Sequence, residues 1–134
     1  MDYVATLQQH QLKATPQRIE IVDLLYKHGH INVDDLYKFL QTKFPSLSLA
    51  TIYKNINTMC ERHFLTELKI PSMKNVYELT KKEHSHVVCS QCNAIIDITL
   101  DTSKIIEEAK SISHYKLDKS SIIFNGFCPQ CTVE

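Results

Sequence analysis

The chain has 134 residues, of which 43% are hydrophobic, with only two glycines and four prolines. This is the length of one ordinary domain or two small ones, and the composition of a folded chain rather than a disordered one. Fifteen Lys and Arg residues balance fifteen Asp and Glu residues, so any nucleic-acid partner would have to be bound by a local basic face. No apolar run is long enough to cross a bilayer and the first residues do not resemble a signal peptide, so we expect a cytoplasmic protein without membrane association.

Residues 2–80 have the apolar periodicity of helices separated by short polar turns. Thr15 followed by Pro16 predicts a helix start, because the hydroxyl caps a backbone N–H and proline has none to lose. Asn32 and Ser48 predict the starts of two further helices. The predicted inward faces are Ile19, Val22, Leu25 and Tyr26 in the first helix, Val33, Leu36, Tyr37, Leu40 and Phe44 in the second, and Ile52, Ile56, Met59 and Cys60 in the third.

Two segments with strand character, 65–70 and 75–79, follow the helices, and the proline-bearing stretch 71–74 between them predicts a hairpin. Three helices followed by a hairpin predict a winged helix. The charged stretch 80–83 lacks large apolar side chains and is the best candidate for a linker. We therefore expect one domain at 1–80 and a second at 81–134.

The second half mixes strand and helix signals. Strands are predicted at 87–88, 94–100 and 117–127, and a helix at 102–113. We expect the helix to turn one apolar stripe toward the interior, namely Ile105, Ile106, Ala109 and Ile112. The predicted fold class is α/β (α+β), with an N-terminal winged helix followed by a small αβ domain.

Two Cys-x2-Cys pairs, Cys89/Cys92 and Cys128/Cys131, lie in this second half. Thiolates two residues apart can reach the same ion, and two pairs supply the four tetrahedral sulfur ligands that Zn²⁺ prefers, with no position open for substrate. The pattern predicts a structural zinc. Two disulfides or one redox pair are the alternatives, but a redox pair needs only one such motif and cytosolic thiols stay reduced.

His84 and His86 precede the first cysteine pair. Side chains two apart in a strand share a face, so these imidazoles point together while Cys89 points to the other side. They therefore indicate a second metal site, which Glu78 and Asp97 could complete. Imidazole and carboxylate without sulfur suit Fe²⁺, Mn²⁺ or Zn²⁺ and favour exchangeable binding. Two ordinary surface histidines are the alternative.

The helix that begins after Ser48 has a small, polar face opposite its apolar stripe. A helix that enters the major groove of DNA needs such a surface, with hydrogen-bonding tips for base edges and cations for phosphates. The candidate contacts are Ala50, Thr51, Tyr53, Lys54, Asn55 and Asn57, joined by Lys13 and Arg18 from the first helix region and by Arg62. Any solvent-exposed helix face is also polar. The residues alone therefore do not decide between a DNA-binding face and an ordinary solvent-exposed one.

Three motifs taken together resemble the ferric uptake regulator (Fur) family over nearly the whole chain. They are the segment 12–18 (LKATPQR), the segment 48–55 (SLATIYKN), and His84-x-His86-x2-Cys89-x2-Cys92 with the closing Cys128-x2-Cys131. The resemblance implies a homodimeric bacterial repressor with a DNA-binding winged helix at 1–80, a dimerisation and metal-binding domain at 81–134, and Zn²⁺ on the four cysteines. It also implies a regulatory Fe²⁺ or Mn²⁺ site that bridges the domains, and its ligands fall on His30, Glu78, His84, His86 and Asp97.

The same resemblance implies a double-stranded DNA operator, AT-rich and pseudo-palindromic, and no small organic substrate. Asp97 and Asn55 resemble the peroxide-sensing branch. Members of that branch lose repression when peroxide oxidises a ligand histidine, and the candidates here are His30 and His84. Mn²⁺ in place of Fe²⁺ makes such a repressor insensitive to peroxide. Glu78 resembles the iron-sensing branch, which is the alternative, and zinc sensing ranks third. We expect no enzyme: a zinc hydrolase would need an open coordination position and a substrate motif that the sequence does not supply.

Overall fold

The computed structural model describes residues 2–71 and 73–132. The chain divides into two compact units, Met1–Thr80 and Lys81–Glu134, and each of them mixes helix and strand. In chain order the elements are α1 (Tyr3–Gln9), α2 (Pro16–His28), β1 (Ile31–Asn32), α3 (Val33–Lys43), α4 (Leu49–Glu61), β2 (Leu65–Leu68), β3 (Val76–Leu79), β4 (Ser85–Cys89), β5 (Ile95–Ile98), α5 (Ser103–Ser113) and β6 (Ile123–Gly126). None of the helices in the described part of the chain has the length and apolar character that a membrane span requires.

Side-chain caps fix where the helices of the first unit begin. Thr15 accepts a hydrogen bond from Arg18 N, Asn32 accepts one from Asp35 N, and Ser48 accepts one from Thr51 N. These are the three starts predicted from the sequence, and all are confirmed. Each cap satisfies one of the backbone N–H groups that a first helical turn leaves without an intrahelical partner. At the other end of α2, Gly29 adopts φ 81°, a left-handed conformation that side chains disfavour.

Helices α1 to α4 enclose one apolar core. The side chains that are almost completely buried in it include Leu7, Ile21, Leu25, Leu36, Leu40, Ile52, Ile56 and Met59. The expected inward position of Tyr26 is wrong, since this side chain is 57% exposed. On α2 it is Ile21 and Leu24 that join Val22 and Leu25 in the core, and Tyr26 lies about 100° further around the helix than Leu25.

A small antiparallel sheet of order β1-β3-β2 completes the first unit. Strands β2 and β3 form the predicted hairpin, with Leu65 opposite Leu79 and Leu68 opposite Val76. The predicted turn over 71–74 includes Ser72, which lies outside the described residues. Strand β1 pairs with the other edge of β3, with Ile31 opposite Tyr77. The three predicted helices, preceded by α1, and the hairpin together form the expected winged helix.

The second unit is a sheet of order β5-β4-β6 with one helix. β4 pairs antiparallel with β5 and parallel with β6. Helix α5 confirms the predicted helix, but its predicted inward stripe is wrong for the single chain, because no described residue of α5 is buried. Ile105 is 60% exposed and Ile112 is 74% exposed. The periodicity correctly identified an apolar stripe, but residues of the same chain do not bury it.

Candidate metal centres and nucleic-acid interface

The four cysteines of the two pairs converge in the second unit. Cys89 closes β4, and the parallel pairing of β4 with β6 sets Cys89 opposite Gly126, which brings the following Cys128 close to it. One sulfur from each of Cys89, Cys92, Cys128 and Cys131 lies within 4.8 Å of the others. The two pairs thus form a single cluster of thiols.

Sulfur spacing in this cluster fits a metal site rather than disulfides. The Sγ atoms of Cys92 and Cys128 are 3.8 Å apart, and all five cysteines are free thiols. A disulfide would need about 2.05 Å. The edge of a tetrahedron with Zn–S bonds of about 2.3 Å is about 3.8 Å long. The donor set and its spacing therefore suit Zn²⁺ with all four positions taken by protein.

Backbone hydrogen bonds prepare one thiol of the cluster to act as a ligand. Cys89 Sγ accepts the N–H groups of Cys92 and Cys128, each at 3.4 Å. These bonds stabilise the thiolate and lower the pKa of Cys89 to about 6. In contrast, the hydrogen bond with Cys128 and burial raise the pKa of Cys131 to about 12. Thiols this close disfavour a second negative charge, so four thiolates require a divalent cation between them.

His30 and Glu78 pair within the first unit. Since Ile31 lies opposite Tyr77 in the β1–β3 ladder, the residues next to them, His30 and Glu78, also face each other. His30 Nε2 lies 2.9 Å from Glu78 Oε2, and the Glu78 side chain is only 1% exposed. A carboxylate so far removed from water is stable only beside a cation or strong donors.

His84, His86 and Asp97 converge within the second unit. His86 is directly opposite Asp97 in the β4–β5 ladder. Asp97 Oδ1 is 3.3 Å from His86 Nε2 and 3.7 Å from His84 Nε2. His84 Nδ1 is 2.7 Å from the carbonyl of Lys82. Because a carbonyl only accepts, Nδ1 carries a proton, and Nε2 is the nitrogen that a metal ion could bind.

Asp97 lies at the spacing of a shared ligand from each of the two imidazoles. Donors about 2.1 Å from a common ion are about 3.0 Å apart in an octahedron and about 3.4 Å apart in a tetrahedron. The measured separations of 3.3 and 3.7 Å are close to these values. Oxygen and imidazole donors without sulfur suit Fe²⁺ and Mn²⁺ as well as Zn²⁺. Of the five ligands expected from the resemblance, the first unit supplies two and the second unit supplies three.

Lys81 is a member of this cluster that the sequence did not indicate. Its ammonium forms an ion pair with Asp97 Oδ2, whereas Oδ1 is the oxygen near His84 and His86. Lys81 and Asp97 are 16 residues apart in the chain. No local pattern connects them, because Lys81 precedes β4 and Asp97 lies on β5.

Most of the α4 residues expected to face DNA are exposed. Ile52, Ile56 and Met59 are fully buried, so the opposite face of α4 is directed toward solvent. The exposed residues of that face are Ala50, Thr51, Tyr53, Lys54 and Asn57, and Lys13 ahead of α2 is exposed as well. Asn55 and Arg18 differ, because both are partly buried and contact each other: Arg18 Nε donates to Asn55 Oδ1 at 3.0 Å.

Comparison with known proteins agrees with this architecture. The sequence model of the ferric uptake regulator family matches residues 9–125. The "Peroxide operon regulator" of Bacillus subtilis is 29% identical over 129 residues, which cover 95% of this chain and 89% of that protein. The solved peroxide stress regulator of Campylobacter jejuni is 34% identical, with a TM-score of 0.71 over 98% of this chain and 100% of that one. The solved ferric uptake regulator of Vibrio cholerae is 27% identical, with a TM-score of 0.75 over 95% and 100% of the two chains. With its cysteine cluster, its second group of imidazoles and carboxylates, and a family match over most of its length, the chain belongs to the ferric uptake regulator family.

Proposed function

We propose that this protein is a cytoplasmic, homodimeric repressor whose binding to operator DNA depends on a regulatory Fe²⁺ or Mn²⁺ and responds to peroxide. One observation carries the proposal: the side chains suited to hold an exchangeable ion are divided between the two units. His30 and Glu78 belong to the first unit, and His84, His86 and Asp97 belong to the second. A separate cluster of four cysteines holds a structural Zn²⁺.

The divided ligand set explains how an ion controls DNA binding. If one ion takes ligands from both units, as the family resemblance implies, it restricts the angle between the DNA-binding unit and the dimerisation unit. Metal acts as a switch only if it binds more tightly to the arrangement of the units that fits DNA than to other arrangements. The coupling free energy between metal and DNA binding comes from this difference in metal affinity. A coupling of about 1 to 3 kcal/mol changes operator affinity by about 5- to 150-fold.

The first unit supplies the DNA-binding surface. A winged helix presents one helix to the major groove, and α4 has an exposed face of small and polar side chains for this purpose. Lys13 and Arg18 supply cations for phosphates. In a dimer, two copies of α4 meet successive major grooves, which predicts an AT-rich, pseudo-palindromic operator.

The second unit supplies the dimer contact. Its exposed apolar side chains lie on α5, on the sheet and just beyond the ends of its strands, and include Ile96, Leu100, Ile105, Ile112, Phe124 and Phe127, each at least 47% exposed. Exposed apolar patches of this kind mark interaction surfaces. A second copy of the chain, related by a two-fold axis, covers this surface with an equivalent one.

Two observations favour peroxide over iron as the signal. Asp97 rather than a longer carboxylate faces the two imidazoles, and the relatives from Bacillus subtilis and Campylobacter jejuni are named as peroxide regulators. Bound Fe²⁺ supplies the reactivity toward peroxide, which Mn²⁺ lacks. The protein's part is to hold imidazoles beside the ion: Glu78 contacts His30, and the Lys82 carbonyl orients His84. An iron-responsive repressor remains the second candidate, and Glu78 favours it.

The test separates the two signals with one protein and two metals. Protein loaded anaerobically with Fe²⁺ or with Mn²⁺ receives stoichiometric peroxide, and DNA binding and intact mass are measured. A gain of 16 Da on His30 or His84, with loss of DNA binding and only with Fe²⁺, is the expected result. Binding that persists in the Fe²⁺ sample without a mass change favours iron sensing. Asp97→Asn serves as the variant in which the metal response should disappear.

We also propose that the protein is not an enzyme. A zinc hydrolase built on His84 and His86 would hydrolyse an activated ester when loaded with Zn²⁺ and lose that activity on His86→Ala. We expect no turnover above the rate of free Zn²⁺ in either protein.

A further inference from the structure

Asn55 belongs to the α4 residues expected to face DNA, but both the oxygen and the nitrogen of its amide form hydrogen bonds with other groups of the protein. Its Oδ1 accepts from Arg18 Nε at 3.0 Å, and its Nδ2 donates to the Thr51 carbonyl, one turn back on α4, at 3.2 Å. An Asn side chain that reads adenine must direct Oδ1 and Nδ2 together at one base edge. One lone pair of Oδ1 and one N–H of Nδ2 are already used, and together these two contacts fix the orientation of the amide.

The guanidinium of Arg18 connects three parts of the first unit. Besides Asn55 on α4, it reaches the Lys13 carbonyl ahead of α2, with Nη1 donating at 3.3 Å. Arg18 also lies in the first turn of α2, where its backbone N–H donates to Thr15 Oγ1. A guanidinium has five N–H donors, and these side-chain contacts among the described residues use two of them. The other three can bind phosphate oxygens while the Asn55 contact keeps the planar group in place.

A second contact holds the same loop against α4. Arg62, at the C-terminal end of α4, donates from Nη1 to Gln11 Oε1 at 2.9 Å. Gln11 has φ 59°, so the chain turns sharply there. Asn55 and Arg62 are seven residues apart, which is about 10 Å along a helix. The segment from Gln11 to Lys13 is thus held against α4 at two positions along the helix, by Arg62 at one and through Arg18 at the other.

We propose that Asn55 contributes to DNA binding as a positioning residue and does not read a base. Through Arg18 it fixes one phosphate-binding guanidinium, and the loop that carries Lys13, relative to α4. This inference rests on the proposed DNA-binding function. Contacts to phosphates set the register of a protein on the duplex without sensing the base sequence. Loss of Asn55 should therefore weaken binding without changing which bases are preferred.

The experiment measures affinity and base preference separately. The probe is a duplex selected from a random-sequence pool by the Mn²⁺-loaded wild type, together with all its single-base-pair variants. Asn55→Ala should lower affinity for every duplex by the same factor, about 10-fold for the loss of a hydrogen bond to a charged group. It should also reduce the slope of log affinity against log salt by about 1, because one phosphate contact is lost. Alanine favours helix, so the fold should persist, and thermal melting checks this.

A double-mutant cycle with Arg18→Ala tests the route of action. In the Arg18→Ala background, Asn55→Ala should cost less than about 2-fold, because the group that it positions is already gone. Asn57→Ala is the matched control, since Asn57 lies on the same helix and is exposed. Its effect should be the same with and without Arg18.

Either of two results would overturn the inference. One is that Asn55→Ala loses discrimination at a single base pair and keeps it elsewhere, which identifies a base reader. The other is that Asn55→Ala costs as much without Arg18 as with it. A wild type that selects no duplex in the presence of Mn²⁺ is a different result, because it rejects DNA binding itself and the positioning role with it.

Discussion

Replacing Cys131 with serine tests how far zinc holds the second unit together. The substitution removes one of the four sulfur ligands and leaves a hydroxyl that binds Zn²⁺ poorly. Structural zinc contributes about 10 to 16 kcal/mol to folding in zinc-finger peptides. A whole domain is stable by about 5 to 15 kcal/mol. The zinc contribution is therefore as large as the whole stability of a typical domain, and its loss should unfold a small unit such as this one.

Within one chain, the second unit has little buried apolar surface that could compensate for the loss of zinc. Among the described residues after Thr80, the buried apolar ones are Val88 and Cys89, whereas Met1–Thr80 has a core drawn from α1 to α4 and the sheet. We therefore expect Cys131→Ser to unfold the second unit and leave the first unit folded. The dimer should dissociate at the same time, because the surface proposed for dimerisation lies on the second unit.

Three measurements check this outcome: zinc per chain by elemental analysis, mass by sedimentation, and limited proteolysis. A protease should leave a resistant fragment ending near Thr80 in the variant and a nearly intact chain in the wild type. Cys60→Ala is the control, since Cys60 packs against the core of the first unit. The reasoning is refuted if Cys131→Ser keeps one zinc per chain, or if its second unit resists proteolysis without zinc.

Three further predictions follow from individual contacts. Lys81→Gln should raise Mn²⁺ affinity by about 2- to 5-fold in a metal titration, because it removes a partly exposed ammonium that competes with the ion for Asp97. Lys82→Gln is the control, since it removes the same charge from the neighbouring residue. Equal Mn²⁺ affinities of the two variants would contradict the prediction. Ile112→Asp should raise the dimer dissociation constant, measured by sedimentation, at least about 10-fold, since it places a charge on an apolar surface. An unchanged dissociation constant would place the interface elsewhere. Burial raises the pKa of Cys60 to about 11, so at pH 7.5 only about 1 in 3,000 of these thiols is a thiolate. Iodoacetamide should therefore modify Cys60 only after unfolding, and the labelling rate should rise with pH. Rapid labelling of the folded protein at pH 7.5 would show that the thiol is accessible and ionised.

Local features of the fold could be predicted because their causes are local. Thr15, Asn32 and Ser48 start helices through a bond to a residue three positions away, so the signal is complete within a few letters of sequence. The cysteine spacing works in the same way, since two residues between thiols already determine that both can reach one ion.

Features that depend on distant partners could not be predicted. Periodicity identified an apolar stripe on α5 but not what covers it, and Ile105 and Ile112 are exposed in the single chain. The engagement of Asn55 depends on Arg18, 37 residues away, and a polar residue on an exposed helix face gives no sign of it. His30 likewise faces Glu78 only because β1 pairs with β3.

The parallel pairing of β4 with β6 has a consequence for synthesis of the protein. Strand β4 and the thiols of Cys89 and Cys92 leave the ribosome well before β6, Cys128 and Cys131. The sheet and the zinc cluster are thus both completed by the same late stretch of chain. A nascent polypeptide cut short before β6 has two ligands instead of four and lacks one edge strand. We therefore expect the second unit to fold only after the last cysteines have left the ribosome.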